Sequence, residues 1–109
     1  MRKQAIGYVR VSTQGQVKEG VSLDAQRAKI AVWCDLNDYD LLTVFADEGL
    51  SGASMHKRDG LNAALKLATT GTALVCYSMS RLARSTHDMI GISARLDKQG
   101  ADLVSLTEK

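Results

Sequence analysis

The sequence of 109 residues lacks the features that would place it in a membrane or among metalloproteins. No apolar run approaches the length of a membrane-spanning helix. His56 and His87 stand alone, and no Cys or His grouping has the spacing of metal ligands. Cys34 and Cys76 lie far apart in apolar stretches, which predicts buried thiols in a reducing cytoplasm rather than a disulfide. The net charge of +2 is too small to indicate a nucleic-acid partner by itself.

Two common phosphate-binding motifs are also absent. There is no Walker loop, and no G-x-G-x-x-G follows the first apolar segment. That segment does not end in the acidic pair of a metal-dependent phospho-acceptor domain. Arginines stand where carboxylates would bind Mg²⁺, so we expect chemistry that uses neither a metal nor another cofactor.

Apolar segments of strand length alternate with segments of helical periodicity. The predicted strands are residues 5–9, 41–46, 72–77 and 101–106. The predicted helices lie between them, at about residues 22–37, 59–70 and 85–99. This alternation predicts an α/β fold with an open, mainly parallel four-stranded sheet and helices on both faces. We expect a single domain, residues 1–109, and because no helix follows the last strand we expect it to be a fragment of a longer chain.

Local signals set the predicted helix ends. Ser22 and Ser85 are suited to the N-cap, each with an acidic residue in the turn that follows. Gly71 and Gly100 follow the second and third helices. On the first helix the apolar stripe predicts that Leu36 faces the core, together with Leu23, Ile30, Trp33 and Cys34.

Polar and basic residues follow three of the predicted strands. They are Arg10 and Ser12 after the first, Ser51 and Arg58 in a long loop over residues 47–59, and Ser80, Arg81 and Arg84 after the third. Because the carboxyl ends of parallel strands meet at one edge of a sheet, we expect these side chains to lie together. Arg10 and Ser12 are two apart on an extended chain and share a face. Arg81 and Arg84 would share a face if their connection were helical.

A hydroxyl group surrounded by arginines is suited to phosphoryl transfer. Ser12 would be the nucleophile, and the arginines would stabilise charge on the phosphate oxygens. For Arg10 and Ser12 taken alone, a surface arginine beside a turn-capping serine is an equally good interpretation. For the whole edge, the alternative is a solvated basic rim beside unrelated turn residues.

Four motifs, in the same order, resemble those of the serine recombinases, the resolvase and invertase family of site-specific DNA recombinases. They are residues 8–13 (YVRVST), residues 22–26 (SLDAQ), residues 47–52 (DEGLSG) with 58–61 (RDGL) after them, and residues 80–85 (SRLARS). The resemblance covers nearly the whole chain. The spacer between Thr13 and Ser22 is longer than in small resolvases and looks more like that of large serine integrases and transposon recombinases.

The resemblance implies a role for each matching residue. Ser12 would attack a DNA phosphodiester and form a 5′-phosphoserine link while the 3′-hydroxyl leaves, and the strands would then be exchanged and rejoined without a metal. Arg10, Arg81 and Arg84 would bind the phosphate and stabilise the phosphorane-like state.

Three further residues, Gln26, Ser51 and Arg58, would support these groups. Ser80 departs from the pattern, because members of the family often carry Asp directly before the first arginine of this segment. That Asp is thought to order the arginines, so the resemblance leaves the consequence of Ser80 open.

The resemblance also implies double-stranded DNA as the partner, and a homo-oligomer in the full-length protein that passes from a dimer to a synaptic tetramer. It implies no membrane partner, and it implies that the isolated fragment is inactive or binds DNA poorly. Two other classes stay open from the fold alone. One is a catalytically silent, doubly wound nucleotide-binding or signalling domain, and the other is a structural oligomerisation module.

Overall fold

The computed structural model describes residues 3–11, 22–48, 59–83 and 85–107 of the chain. In chain order the elements are β1 (Lys3–Val11), α1 (Leu23–Leu36), β2 (Tyr39–Glu48), α2 (Asp59–Leu67), β3 (Thr72–Cys76), α3 (Met79–Leu82), α4 (Thr86–Gln99) and β4 (Asp102–Ser105). Within this described part, no helix has both the length and the apolar character needed to cross a bilayer.

The four strands form one sheet in the order β2-β1-β3-β4, and each of its three strand pairs is parallel. Tyr8 marks the middle of the sheet, because it pairs with Phe45 of β2 on one side and with Cys76 of β3 on the other. The predicted fold class, an open parallel four-stranded sheet, is therefore confirmed. Every carboxyl end of a strand lies at the same edge of this sheet.

The two faces of the sheet bury separate apolar clusters because side chains alternate along each strand. Ile6 and Tyr8 of β1 pack with residues of α2, α3 and α4. Ala5 and Val9 of the same strand pack with Ile30 and Cys34 of α1. All five residues of β3 are buried. Full burial of an aliphatic side chain contributes about 1.5–3 kcal/mol, so both layers of helices are held mainly by this apolar contact.

Both predicted N-caps are confirmed. The Ser22 hydroxyl accepts a hydrogen bond from the Ala25 amide at 3.1 Å, and the Ser85 hydroxyl accepts one from the Asp88 amide at 3.1 Å. Gly100 ends α4 in the left-handed conformation, at φ 76°. These contacts satisfy amide and carbonyl groups that have no partner inside the helix.

Two local predictions were wrong. Leu36 is 77% exposed, because it lies two residues, or about 200° around the helix, from Cys34, which faces the sheet. Asp47 and Glu48 belong to β2 and not to a loop, because β2 continues its pairing with Arg10 and Val11. The connection after β3, for which the sequence left a helix open, contains the short helix α3; four residues are too few to establish an apolar period in the sequence.

Candidate functional site

Arg10, near the end of β1, and Arg81, which follows β3, meet at the carboxyl edge of the sheet, as predicted. The Arg10 Nε donates a hydrogen bond to the Arg81 carbonyl oxygen at 3.3 Å. In return the Arg81 Nη1 donates to the Arg10 carbonyl oxygen, also at 3.3 Å. The Arg10 Nη2 donates to the carbonyl oxygen of Ser80. Each guanidinium is therefore held by the main chain of the other segment.

The electrostatic consequence is seen at Arg81, which is only 7% exposed. Burial, and after it the positive charge of Arg10, lower the pKa of Arg81 from its usual value. Both causes disfavour the charged guanidinium, because it loses solvent and faces a like charge. An anion bound at this position would offset both effects.

Gln26 of α1 holds the end of β1 by its main chain. The Arg10 amide donates to Gln26 Oε1 at 3.3 Å, and Gln26 Nε2 donates to the Arg10 carbonyl oxygen at 3.2 Å. The Gln26 side chain is fully buried and so extends the hydrogen bonding of β1 past the sheet. This pair of contacts fixes the backbone two residues before Ser12.

Ser80 contributes to the site through its main chain. Its carbonyl oxygen accepts from Arg10, while its exposed hydroxyl lies 3.0 Å from the hydroxyl of Ser78. The Arg10 guanidinium is thus oriented by carbonyl groups of α3. A carboxylate side chain at position 80 is not needed for these contacts.

Four predicted site residues, Ser12, Ser51, Arg58 and Arg84, lie outside the described residues. A shared face for Arg81 and Arg84 was predicted only for a helical connection, and Arg84 is not among the described residues. Helix α3 ends at Leu82, and Ala83 is extended with φ −126° and ψ 149°.

Asp47 is the polar residue whose environment was missed from the sequence. Its carboxylate accepts from the Tyr8 hydroxyl at 2.7 Å and from the amides of Gly60 and Leu61 at 2.9 and 3.1 Å. It therefore joins β1 and β2 to the first turn of α2. The sequence did contain a signal for this contact. Tyr8 lies in a strand predicted to be buried, and a buried Tyr hydroxyl usually needs a hydrogen-bond partner.

No metal-binding arrangement occurs in the part of the chain that the structure describes. There, no group of three or more His, Cys, Asp or Glu side chains is placed to hold a metal ion. At the carboxyl edge Arg10 and Arg81 contact each other's main chain, while the Asp47 carboxylate binds Tyr8 and the start of α2.

Together these features define a parallel α/β domain with a positively charged site at the carboxyl edge of its sheet. The chain belongs to the family described as the resolvase N-terminal domain, whose family model matches residues 5–109. The family predicted from the four motifs is thereby confirmed.

Two curated relatives agree with this membership. The chain is 36% identical over 104 residues to DNA-invertase hin of Salmonella typhimurium, covering 94% of this chain and 47% of that protein. It is 35% identical over 103 residues to the transposon Tn552 DNA-invertase BinR of Staphylococcus aureus, with 94% and 47% covered. The chain thus spans about half the length of the curated relatives it matches.

The N-terminal catalytic domain of TP901-1 integrase has the same fold. It superposes with a TM-score of 0.72 at 24% identity, over 95% of this chain and 77% of that one.

Proposed function

We propose that the chain is the catalytic domain of a site-specific DNA recombinase that acts through Ser12. The Ser12 oxygen bonds to the phosphorus of a DNA phosphodiester and gives up its proton. The bond from phosphorus to the 3′ oxygen breaks, and the 3′ oxygen takes up a proton and leaves as a hydroxyl. Rejoining reverses these steps, because a 3′-hydroxyl of the exchanged strand attacks the phosphoserine and releases Ser12.

The observation that carries this proposal is the reciprocal contact between Arg10 and Arg81. The two residues are 71 positions apart in the sequence, yet each guanidinium binds the other's carbonyl oxygen. Arg10 precedes Ser12 by two residues, so a phosphate held by the arginines lies within reach of the chain segment that carries the nucleophile. Fixed positive groups beside a phosphate stabilise the charge that develops during transfer.

We assign the remaining positions as follows. Arg84 adds a third positive charge to the phosphate site, while Ser51 and Arg58 support it from the segment between β2 and α2. Gln26 supports the end of β1 through the contacts described above, and the main chain of Ser80 orients Arg10.

The partner we propose is double-stranded DNA, bound by a dimer that assembles into a tetramer during strand exchange. We place the activity in the cytoplasm and regard residues 1–109 as the catalytic domain of a longer protein. Membership of the resolvase family and relatives named as DNA invertases support DNA as the partner. They do not favour the nucleotide-binding or signalling alternative.

The test is the formation of a covalent adduct between the full-length protein and the 5′ end of a cleaved suicide DNA substrate. We expect a phosphoserine that mass spectrometry maps to Ser12, and no adduct in Ser12→Ala. Thr13→Val is the matched control, because it removes the neighbouring hydroxyl and keeps the shape of the side chain. An adduct that persists in Ser12→Ala would overturn the assignment.

The proposed chemistry also predicts no dependence on divalent metal ions, since arginines supply the positive charge. Adduct formation should continue at the same rate when a chelator is added. A rate that falls to background with chelator, and returns when Mg²⁺ is restored, would contradict the proposed mechanism.

A further inference from the structure

The main chain that follows β4 holds the segment that leads from β3 to α3. Cys76 and Ser105 are the last residues paired between β3 and β4. Beyond this pair, the Leu106 amide donates a hydrogen bond to the Cys76 carbonyl oxygen at 3.0 Å, and the Thr107 amide donates to the Tyr77 carbonyl oxygen at 3.2 Å. The contact between the two chain segments therefore extends past both strands.

Tyr77 is the point at which this contact reaches α3. On the other side of β3, the pairing with β1 ends at Tyr8 and Cys76, so the Tyr77 carbonyl group is held from the side of β4. Ser78 follows in an extended conformation, with φ −152° and ψ 163°, and α3 begins at Met79. Because a single extended residue connects Tyr77 to the helix, a displacement of Tyr77 moves the start of α3.

Helix α3 in turn holds the Arg10 guanidinium. The far end of the helix is fixed by Leu82, which is fully buried in the apolar cluster that contains Ile6. Between Tyr77 and Leu82 lie the carbonyl oxygens of Ser80 and Arg81, which both accept hydrogen bonds from Arg10. The orientation of these two carbonyl groups therefore depends on how both ends of α3 are held.

We propose that the main-chain amide of Thr107 is a positioning group for Arg10. The amide holds Tyr77, Tyr77 sets the start of α3, and the carbonyl groups of α3 direct the Arg10 guanidinium toward the phosphate. The Thr107 side chain is exposed and has no part in this contact, which runs through the main chain. This inference rests on the proposed function, because Arg10 is assigned to the phosphate there.

The chemistry of the contact decides which substitutions test it. Thr107→Pro removes the donor, because proline has no backbone N–H. Replacing the Thr107 amide by an ester also removes the N–H, but it keeps the side chain and adds no ring. Thr107→Ala is the matched conservative variant, since it removes the side chain and keeps the amide.

The experiment measures adduct formation on suicide DNA by the full-length protein, with rates normalised to the folded fraction. We expect Thr107→Pro and the ester variant each to lower the rate at saturating DNA by about 10- to 100-fold, the effect of a small displacement in an active site. The DNA concentration at half-saturation should stay unchanged, because loss of positioning affects the chemical step. Thr107→Ala should react at the wild-type rate.

Gly100→Ala separates lost positioning from lost stability. Gly100 has φ 76° and lies before the amino end of β4, so alanine is strained there and should destabilise the domain. This end of the strand is at the opposite edge of the sheet from Arg10, so the normalised rate should stay unchanged. A fall as large as that in the ester variant would show that lost stability alone slows the reaction, and would overturn the inference.

A double mutant tests whether the Thr107 amide acts through Arg10. If it does, adding Thr107→Pro or the ester to Arg10→Ala should slow the reaction no further than Arg10→Ala alone. Effects that multiply, a full rate in the ester variant, or an equal loss in Thr107→Ala would overturn the inference while leaving Ser12 as the nucleophile. An adduct that persists in Ser12→Ala would instead defeat the proposed function, and this inference with it.

Discussion

At the scale of single residues, the end of β1 depends on hydrogen bonds from outside the sheet. The Arg10 carbonyl oxygen accepts from both Gln26 and Arg81, and its amide donates to Gln26. These contacts hold Arg10 although β3 pairs with β1 only as far as Tyr8. The backbone leading to Ser12 is therefore held by side chains from two other elements.

The first prediction concerns Gln26→Met, which keeps the size of the side chain but removes its polar atoms. We expect the free energy of unfolding to fall by about 1–3 kcal/mol, because the part-buried main chain of Arg10 loses both hydrogen bonds to the buried Gln26 side chain. The control is Gln4→Met, at an exposed position of β1, the strand that contains Arg10. It should change the free energy of unfolding by about 0.5 kcal/mol or less. Urea denaturation measures both values. Equal effects of the two variants would contradict a stabilising role for the hydrogen bonds between Gln26 and Arg10.

The second prediction concerns Ser80, whose carbonyl oxygen and not its hydroxyl accepts from Arg10. Ser80→Ala and Ser80→Asp keep this carbonyl, so both should form the DNA adduct at close to the wild-type rate. Arg10→Ala should be slower on the order of 10²-fold, since it removes a proposed donor to the phosphate. A loss in Ser80→Ala as large as that in Arg10→Ala would show that the hydroxyl is required.

At the scale of elements, the helix ends could be predicted where the signal is local. Ser22, Ser85 and Gly100 each act on residues within one turn, so their roles are visible in the sequence. The end of β2 could not be predicted in this way, because Asp47 pairs with Arg10 of β1 and its carboxylate contacts Tyr8 and Gly60, all distant in the chain. The environment of such a residue depends on partners far away in the chain, and a single sequence does not show which distant residues come into contact.

The third prediction compares Gly91, inside α4, with Gly100, the residue that ends this helix. Gly91 lies inside α4 with open space around it, so Gly91→Ala should raise the free energy of unfolding by about 1 kcal/mol. Gly100 has φ 76°, and a Cβ there would lie 2.7 Å from the Thr70 hydroxyl oxygen, so Gly100→Ala should lower it by at least about 1 kcal/mol. Thermal unfolding of each variant gives the sign, and a shift in the same direction for both would contradict the structure.

At the scale of the whole molecule, the site is assembled by the sheet. The parallel arrangement was sufficient to predict that Arg10 and Arg81 meet, because it brings all carboxyl ends of the strands to one edge. It was not sufficient to predict how they meet. The reciprocal contacts with carbonyl oxygens depend on α3, a helix too short to be read from periodicity.

The fourth prediction uses the two cysteines as reporters for the two faces. Cys34 is 1% exposed and lies in the cluster under α1, whereas Cys76 is fully buried in the cluster on the opposite face. Both clusters share β1 and β3, so we expect the faces to open together. A thiol reagent should then label both cysteines at one rate, with the same dependence on urea. Faster labelling of one cysteine, followed by mass spectrometry, would show that its face opens independently.

The central place of β1 has a consequence for synthesis on the ribosome. Tyr8 is made before its partners Phe45 and Cys76, and Cys76 belongs to the strand that closes the second side of β1. Until that strand has left the ribosome, the apolar side chains of β1 have no complete surface to bury against. The nascent domain must therefore remain open over most of its translation, a period in which chaperones have access to its first strand.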